Sequence, residues 1–424
     1  MIFYKETEFK DTEIGRIPKD WEVVKIGDVF DLYKGTTPST KVKNYWNGAI
    51  PFVTPTDITQ VSNLNERYLK STEHHITEVG LKSKGLKLVP EGSLLFTSRA
   101  TIGYLAINKI KVAINQGIIS LKSKNATTEV TFFYYLLQKL RDLFENLSGG
   151  STYKEISMST FSNINLPLPP FDEQQKIAEI LSTVDDAIQK TNEIIAKTER
   201  LKKGLMHELL TKGIGHKEFK NTEIGRIPKD WEVVRLEEIC EKIKAGGTPL
   251  TTKKEFWNGN IPFVKIEDIT SSGKYLMQTL SSITNTGLEN SNAWLVPERS
   301  LLLAMYGSLG EVSINIISVA TNQAILGIIP KEKDDLEFLY YWFLYFKPYW
   351  RKFAKPTTQA NLTAEIVRNT MIPLPSTQER RKIAEILSTV DHKLEAERKE
   401  KAKLERIKQG LMDLLLTGKV RVRL

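Results

Sequence analysis

Cysteine is almost missing from this chain of 424 residues. The single Cys240 excludes an internal disulfide framework and any cysteine-based zinc cluster. Histidine is nearly as scarce, and the five copies are scattered. His74 and His75 sit among Ser, Thr and Glu at no metal-binding spacing, which reads as surface loop. Long apolar runs are absent too. The longest, FLYYWFLYF at residues 338–346, is far too short to cross a bilayer. The first residues, MIFYKETEFKD, carry charge where a secretory signal would be apolar, so a cytoplasmic protein is expected.

Catalytic signatures are missing as well. No GxxxxGK[ST] phosphate loop occurs. The corner that amino-methyltransferases use to hold a flipped base is approached only by Leu168-Pro169-Pro170-Phe171, with leucine in place of the required amide or acid. Asp172 and Glu173 beside it read as the acidic first turn of a helix, where they favour the dipole. No cofactor is expected in this chain.

What is present is a repeat spanning almost the whole sequence. Residues 176–185 and 382–391 are both KIAEILSTVD. Residues 9–24 (FKDTEIGRIPKDWEVV) return at 219–234 with Asn221 for Asp11. YWNGAIPFV is answered by FWNGNIPFV, LVPEGSLL by LVPERSLL, and Asn115-Gln116 by Asn322-Gln323. The order is globule, long helix, globule, long helix, with expected bounds 1–168, 169–213, 214–374 and 375–424. Each globule mixes strand-like and helix-like segments, so the fold class is α+β.

In the long helices, Ile177, Leu181, Val184, Ile188, Ile195 and Leu205 mark one apolar stripe. Ile383, Leu387, Val390, Leu394, Leu404 and Leu411 mark the other. Steps of four and three are those of a coiled coil. Thr191, Thr198, Glu397 and Lys401 interrupt the middle and should weaken it there. Because one helix leaves the first globule and the other leaves the second, pairing makes them antiparallel, with internal pseudo-two-fold symmetry.

Lys and Arg outnumber Asp and Glu by 60 to 51, giving +9, which suits a polyanionic partner. Loops rich in glycine and hydroxyls, flanked by lysine, fit phosphate contact. In the first globule these are Thr36, Thr37, Ser39, Lys41 and Lys43. In the second they are Thr248, Thr251, Lys253 and Lys254. Asn115 and Gln116 either read base edges, or Asn115 stabilises a turn and Gln116 satisfies a core. Scaffold should agree between copies, whereas parts that read different sequences should differ. The divergent tips are therefore the candidates for base contact: Ser98, Arg99, Thr101 against Tyr306, Ser308, and Ser151, Thr152, Lys154 against Thr357, Thr358, Gln359. Residues 82–87 (KSKGLK) also diverge from 289–294 (ENSNAW).

IGRIPKDWE at each globule start, the paired YWNGAIPFV and FWNGNIPFV, the NQ pairs and PLP followed by KIAEILSTVD, all in one duplicated order, resemble the specificity subunit of type I restriction–modification systems. The resemblance covers essentially the whole chain. It implies two target recognition domains, each reading half of an asymmetric split DNA site. It implies a helix pair that fixes the gap and docks two methylation subunits, with two restriction subunits joining. S-adenosylmethionine, ATP and Mg would sit on those partners, and this subunit would be non-catalytic.

Overall fold

The computed structural model describes residues 3–149, 154–353 and 362–422. Its two long helices are Phe171–Thr211 and Thr377–Leu415. Packing groups the chain differently from the sequence blocks. One unit joins Met1–Ile195 to Glu397–Leu424, and the other is the continuous Ala196–Ala396. Each unit thus holds one globule, the first half of its own helix and the last half of the other.

The first globule is layered. A five-stranded sheet runs in the order 30–34, 118–123, 94–97, 105–108, 68–69. A three-stranded sheet follows the order 113–114, 46–53, 74–76. The central strand Leu94–Thr97 is buried throughout because both of its faces are covered. Leu94 and Phe96 point to a core with Phe132, Phe133 and Phe161, while Leu95 joins Val53, Ala106 and Ile118 behind the sheet. The second globule repeats this plan. Its sheets run 240–245, 325–330, 300–304, 312–315, 275–276 and 281–283, 257–264, 319–321, 295–296. Leu301 and Leu303 face one core, Leu302 the other.

Several elements differ from the sequence reading in instructive ways. Residues 112–121, which read as one β segment, form two strands, Ala113–Ile114 and Ile118–Ser123, because the Asn115 turn carries the chain from one sheet to the other. His74 and His75 lie in the strand His74–Ile76 rather than a loop. The apolar run at residues 338–346, by contrast, lies as expected in a buried helix, Asp335–Phe346. Burial pushes the Cys240 thiol up to about 12, so it is inert packing. No described helix is long and apolar enough to cross a membrane.

Inside each unit the two helix segments run antiparallel. In the first, Lys408 lies 2.8 Å from Asp185, and further along Arg421 lies 2.6 Å from Glu173. In the second, Lys202 lies 2.5 Å from Asp391, and the Ile214 amide donates to Glu379 at 2.8 Å. As one number rises the other falls. Ile177, Leu181 and Ile188 are buried, whereas Val184, Ile195 and Leu205 are half-buried. On the second helix Ile383, Leu387 and Leu394 are buried, and Val390, Leu404 and Leu411 half-buried. Thr191 and Thr198 are themselves buried, 7% and 6% exposed. They continue the seam instead of breaking it, the Thr191 hydroxyl donating to the Ala187 carbonyl.

Candidate nucleic-acid interface

Hydrogen bonds stitch the loop tips of the first globule into one face. Gly35 opens the first loop against the backbone of the Asn115 turn. A Cβ there would fall 2.0 Å from the Ile114 carbonyl oxygen, so no side chain fits. The Thr37 hydroxyl donates to Gln116 Oε1, tying loop to turn. Trp46 Nε1 donates to the Ser39 carbonyl at 3.1 Å. Ser98 N donates to the Gly117 carbonyl, Ala100 N to the Lys154 carbonyl, and Ile156 N to the Ser98 carbonyl. Glu155 pairs with Lys34 and stands 3.9 Å from Arg99. Thr36, Ser39, Lys41, Lys43, Thr101 and Lys154 are exposed there, Thr37 and Arg99 half-buried.

The second globule builds the same clasp. Thr248 donates to Gln323 Oε1 at 2.5 Å, and Trp257 Nε1 to the Leu250 carbonyl at 3.2 Å. Thr251, Lys253 and Lys254 are exposed beside it, and Tyr306 and Ser308 are half-buried at the tip. The Met305 amide donates to Ala324 across the same gap.

One expected contact residue is corrected. Ser98 is fully buried, its backbone committed on both sides, so its hydroxyl cannot reach a ligand. The exposed tip begins one residue later. Asn115 is a turn stabiliser, accepting from the Gly117 amide at 2.6 Å, as Asn322 does from Ala324 at 3.0 Å. Gln116 and Gln323 lie exposed rather than in a core. Ser151, Thr152, Thr357, Thr358 and Gln359 lie outside the described residues.

A buried polar junction that the sequence reading missed joins each globule to the helices. In the first unit the Tyr135 hydroxyl donates to Asp185 at 2.7 Å, and Lys408 holds the other carboxylate oxygen. Arg67 donates to Tyr135, to the Ser182 carbonyl and to Asp186. In the second unit Tyr341 donates to Asp391 at 2.7 Å, with Lys202 opposite and Lys274 reaching Tyr341 and Ser388. Burial pushes both tyrosines well above the ordinary phenol range, aided by their aspartates, so they stay donors. The repeated final Asp of KIAEILSTVD was the available signal.

At the start of each long helix a buried tryptophan is anchored. Trp21 Nε1 donates to Glu173 at 3.0 Å, and Trp231 Nε1 to Glu379 at 2.9 Å. In the first unit Arg421 also reaches Glu173, Asp20 and Glu6. In the second, His216 and the Ile214 amide take that place. Glu173 thus serves as a buried acceptor, more than a dipole-facing first turn.

A duplicated α+β scaffold, with a loop face on each copy and a long helix after each, defines the class. The chain belongs to the type I restriction modification DNA specificity family, whose profile matches residues 18–200 and again 228–406. The MjaVIII type I restriction enzyme specificity subunit of Methanocaldococcus jannaschii is 32% identical over 100% of this chain and 98% of its own length. The MjaIX specificity subunit of the same organism is 32% identical over 99% and 98%. The crystal structure of the S subunit from M. genitalium superposes with a TM-score of 0.57 at 17% identity, covering 93% of this chain and 96% of that one. A chain from a structure on complex assembly and conformational transition of the type I R-M system gives 0.59 at 18%, covering 95% and 99%. These two superpositions speak for the fold.

Proposed function

We propose that this chain is the non-catalytic DNA-reading subunit of a type I restriction–modification enzyme, each globule reading one half of an asymmetric bipartite site. The observation that carries this reading is where the two copies agree and where they part. The Gly35 and Gly246 turns, the threonine–glutamine clasps and the tryptophan ties are the same in both. The tips they present differ, Arg99 and Thr101 against Tyr306 and Ser308. A common scaffold with unlike tips is what two unlike half-sites require.

The proposed contacts are Thr36, Thr37, Ser39, Lys41, Lys43, Arg99, Thr101 and Lys154 in the first globule. Their counterparts are Thr248, Thr251, Lys253, Lys254, Tyr306 and Ser308. The helix pair would set the gap between half-sites and dock two methylation subunits, with two restriction subunits completing the enzyme in the cytoplasm. S-adenosylmethionine, ATP and Mg would bind those partners. A base to be methylated has to leave the stack, so the partner supplies the pocket.

The test is to express the chain with its co-encoded methylation subunits and sequence the modified DNA. The expected result is one asymmetric motif in two parts. Adding four residues to each long helix should then lengthen the gap and leave both parts unchanged. Altered half-sites at the old gap would refute the spacer role. Methyl transfer by this chain alone would refute the non-catalytic one.

A further inference from the structure

Each loop face carries one polar side chain that the fold only half uses. In the first globule Gln116 follows Asn115 in the turn between the strands Ala113–Ile114 and Ile118–Ser123. Asn115 is spent inward, its Oδ1 accepting from the Gly117 amide at 2.6 Å. Gln116 is exposed, and its Oε1 accepts from the Thr37 hydroxyl. Among the described residues its Nε2 group has no partner. Gln323 repeats this arrangement in the second globule. It is exposed, its Oε1 accepts from Thr248 at 2.5 Å, and its Nε2 has no partner among the described residues.

The place is the same in both copies. On one side of the amide lies the lysine-flanked loop, held by the threonine tie. On the other lies the reading tip. The Ser98 amide donates to the Gly117 carbonyl at 2.8 Å, and the Met305 amide to the Ala324 carbonyl at 2.8 Å. The tie itself needs only an acceptor, and a carboxylate of the same length would supply one. What both copies keep, and the fold leaves unused, is the donor.

We propose that Gln116 and Gln323 each donate through Nε2 to a backbone phosphate, one in each half-site. This rests on the DNA-reading role above. Two features favour phosphate over a base. The tips meant for unlike bases differ, whereas this amide is identical, and phosphate is what any two half-sites share. Bidentate reading of adenine uses Nε2 and Oε1 together, and here Oε1 is already engaged by a threonine. A carboxylate at this place would meet the phosphate with like charge, which accounts for the amide. The contact fixes the register of each tip on the duplex and carries no sequence information.

The experiment uses the full chain assembled with its co-encoded methylation subunits, and two duplexes. One carries the modified motif; the other differs from it by one base pair in the half-site under test. Anisotropy gives the affinity for each, and their ratio gives the discrimination. Gln116→Glu keeps the acceptor for Thr37 and replaces the donor by a charged oxygen. It should weaken both complexes by the same factor, about ten- to a hundredfold, the loss expected for a hydrogen bond to a charged group. The ratio and the melting midpoint should not move. Gln323→Glu should do the same at the other half-site. Unchanged affinity in either variant overturns the proposal and leaves the DNA-reading role standing. A collapsed ratio reveals a base contact and overturns it as well. A wild-type assembly that binds neither duplex overturns both readings. If a glutamate variant melts below wild type, Gln116→Met decides, measured on duplexes with single neutral methylphosphonates along the half-site. One methylphosphonate should weaken wild type by about tenfold and have no further effect on Gln116→Met. Equal sensitivity of both proteins at every phosphate overturns the contact.

Discussion

Ala100 has φ +64°, in the left-handed region, and its counterpart Gly307 has φ +63°. The backbone therefore needs this conformation at the tip of both reading loops, although only one copy has the residue that adopts it freely. A left-handed alanine costs roughly 1–2 kcal/mol, and glycine returns part of that by loosening the unfolded chain. Ala100→Gly should thus stabilise the first unit by about 0.5–1 kcal/mol, and Gly307→Ala should destabilise the second by a similar amount. Urea midpoints measure both, and a neutral or destabilising Ala100→Gly would contradict the strain argument. Comparing the copies exposes this strain; one copy alone does not. The same comparison reveals an exchange of partners. Lys87 lies 5.9 Å from the Tyr33 ring, and in the second globule Lys244 lies 6.0 Å from the Trp294 ring. Cation and ring have traded places across the same loop contact. Ser98 was misplaced for a local reason. Polar residues ran on from the end of an apolar strand, and nothing in the letters shows that the strand's backbone pairing extends one residue further.

At the scale of elements, the polar junctions decide how firmly each globule is held to its helices. Asp185 is 4% exposed and serves Tyr135, Lys408 and Arg67 together. Burial alone would depress the Arg67 guanidinium, but Tyr135, Asp186 and Asp185 outweigh it and hold the group above its ordinary range. Removing one member of a buried charged set leaves the others unpaired, which costs about 3–5 kcal/mol. Asp185→Ala should therefore destabilise the first unit by about 3 kcal/mol or more, and Tyr135→Phe by about 1–2 kcal/mol. Denaturant titration of each variant checks the order. If Tyr135→Phe costs as much as Asp185→Ala, the phenol hydroxyl shared by Asp185 and Arg67 matters as much as the carboxylate. The helices and their antiparallel pairing were legible because the apolar stripe repeats every three and four residues toward both ends of each helix, and because one helix leaves each globule. The junctions were not. Tyr135 sits in the run FFYYLL and Asp185 at the edge of a helical stripe, and their meeting depends on the fold of the sheet between them.

At the scale of the chain, the two units are closed differently. The second is one continuous stretch, Ala196–Ala396, whereas the first is assembled from both ends. The strand Phe3–Lys5 pairs with Val420–Val422, and Arg421 ties Glu6, Asp20 and Glu173 from three distant places. Contacts across some four hundred residues of sequence carry no local signature, so an arginine fourth from the last residue reads as an ordinary surface charge. Arg421 is 7% exposed, and its loss strands Glu173, itself 2% exposed, with the Trp21 indole as its one remaining side-chain donor among the described residues. Arg421→Ala should lower the stability of the first unit by about 3 kcal/mol at neutral pH and leave the second unit's transition in place. The dependence on acid has a definite sign. Asp20 is held below its ordinary 3.8, first by its hydrogen bond to Arg421. Its contribution is therefore complete above pH 3.8 and disappears as pH falls through the lowered value. Glu6 is also lowered from 4.5, but chiefly by the Glu8 amide, so most of its shift survives the substitution. The gap between wild type and Arg421→Ala should accordingly be constant from pH 7 to about 5 and narrow toward pH 3. Urea unfolding at those pH values reads it directly. A gap that stays constant into acid would mean that Arg421 acts through packing alone, with Asp20 a bystander.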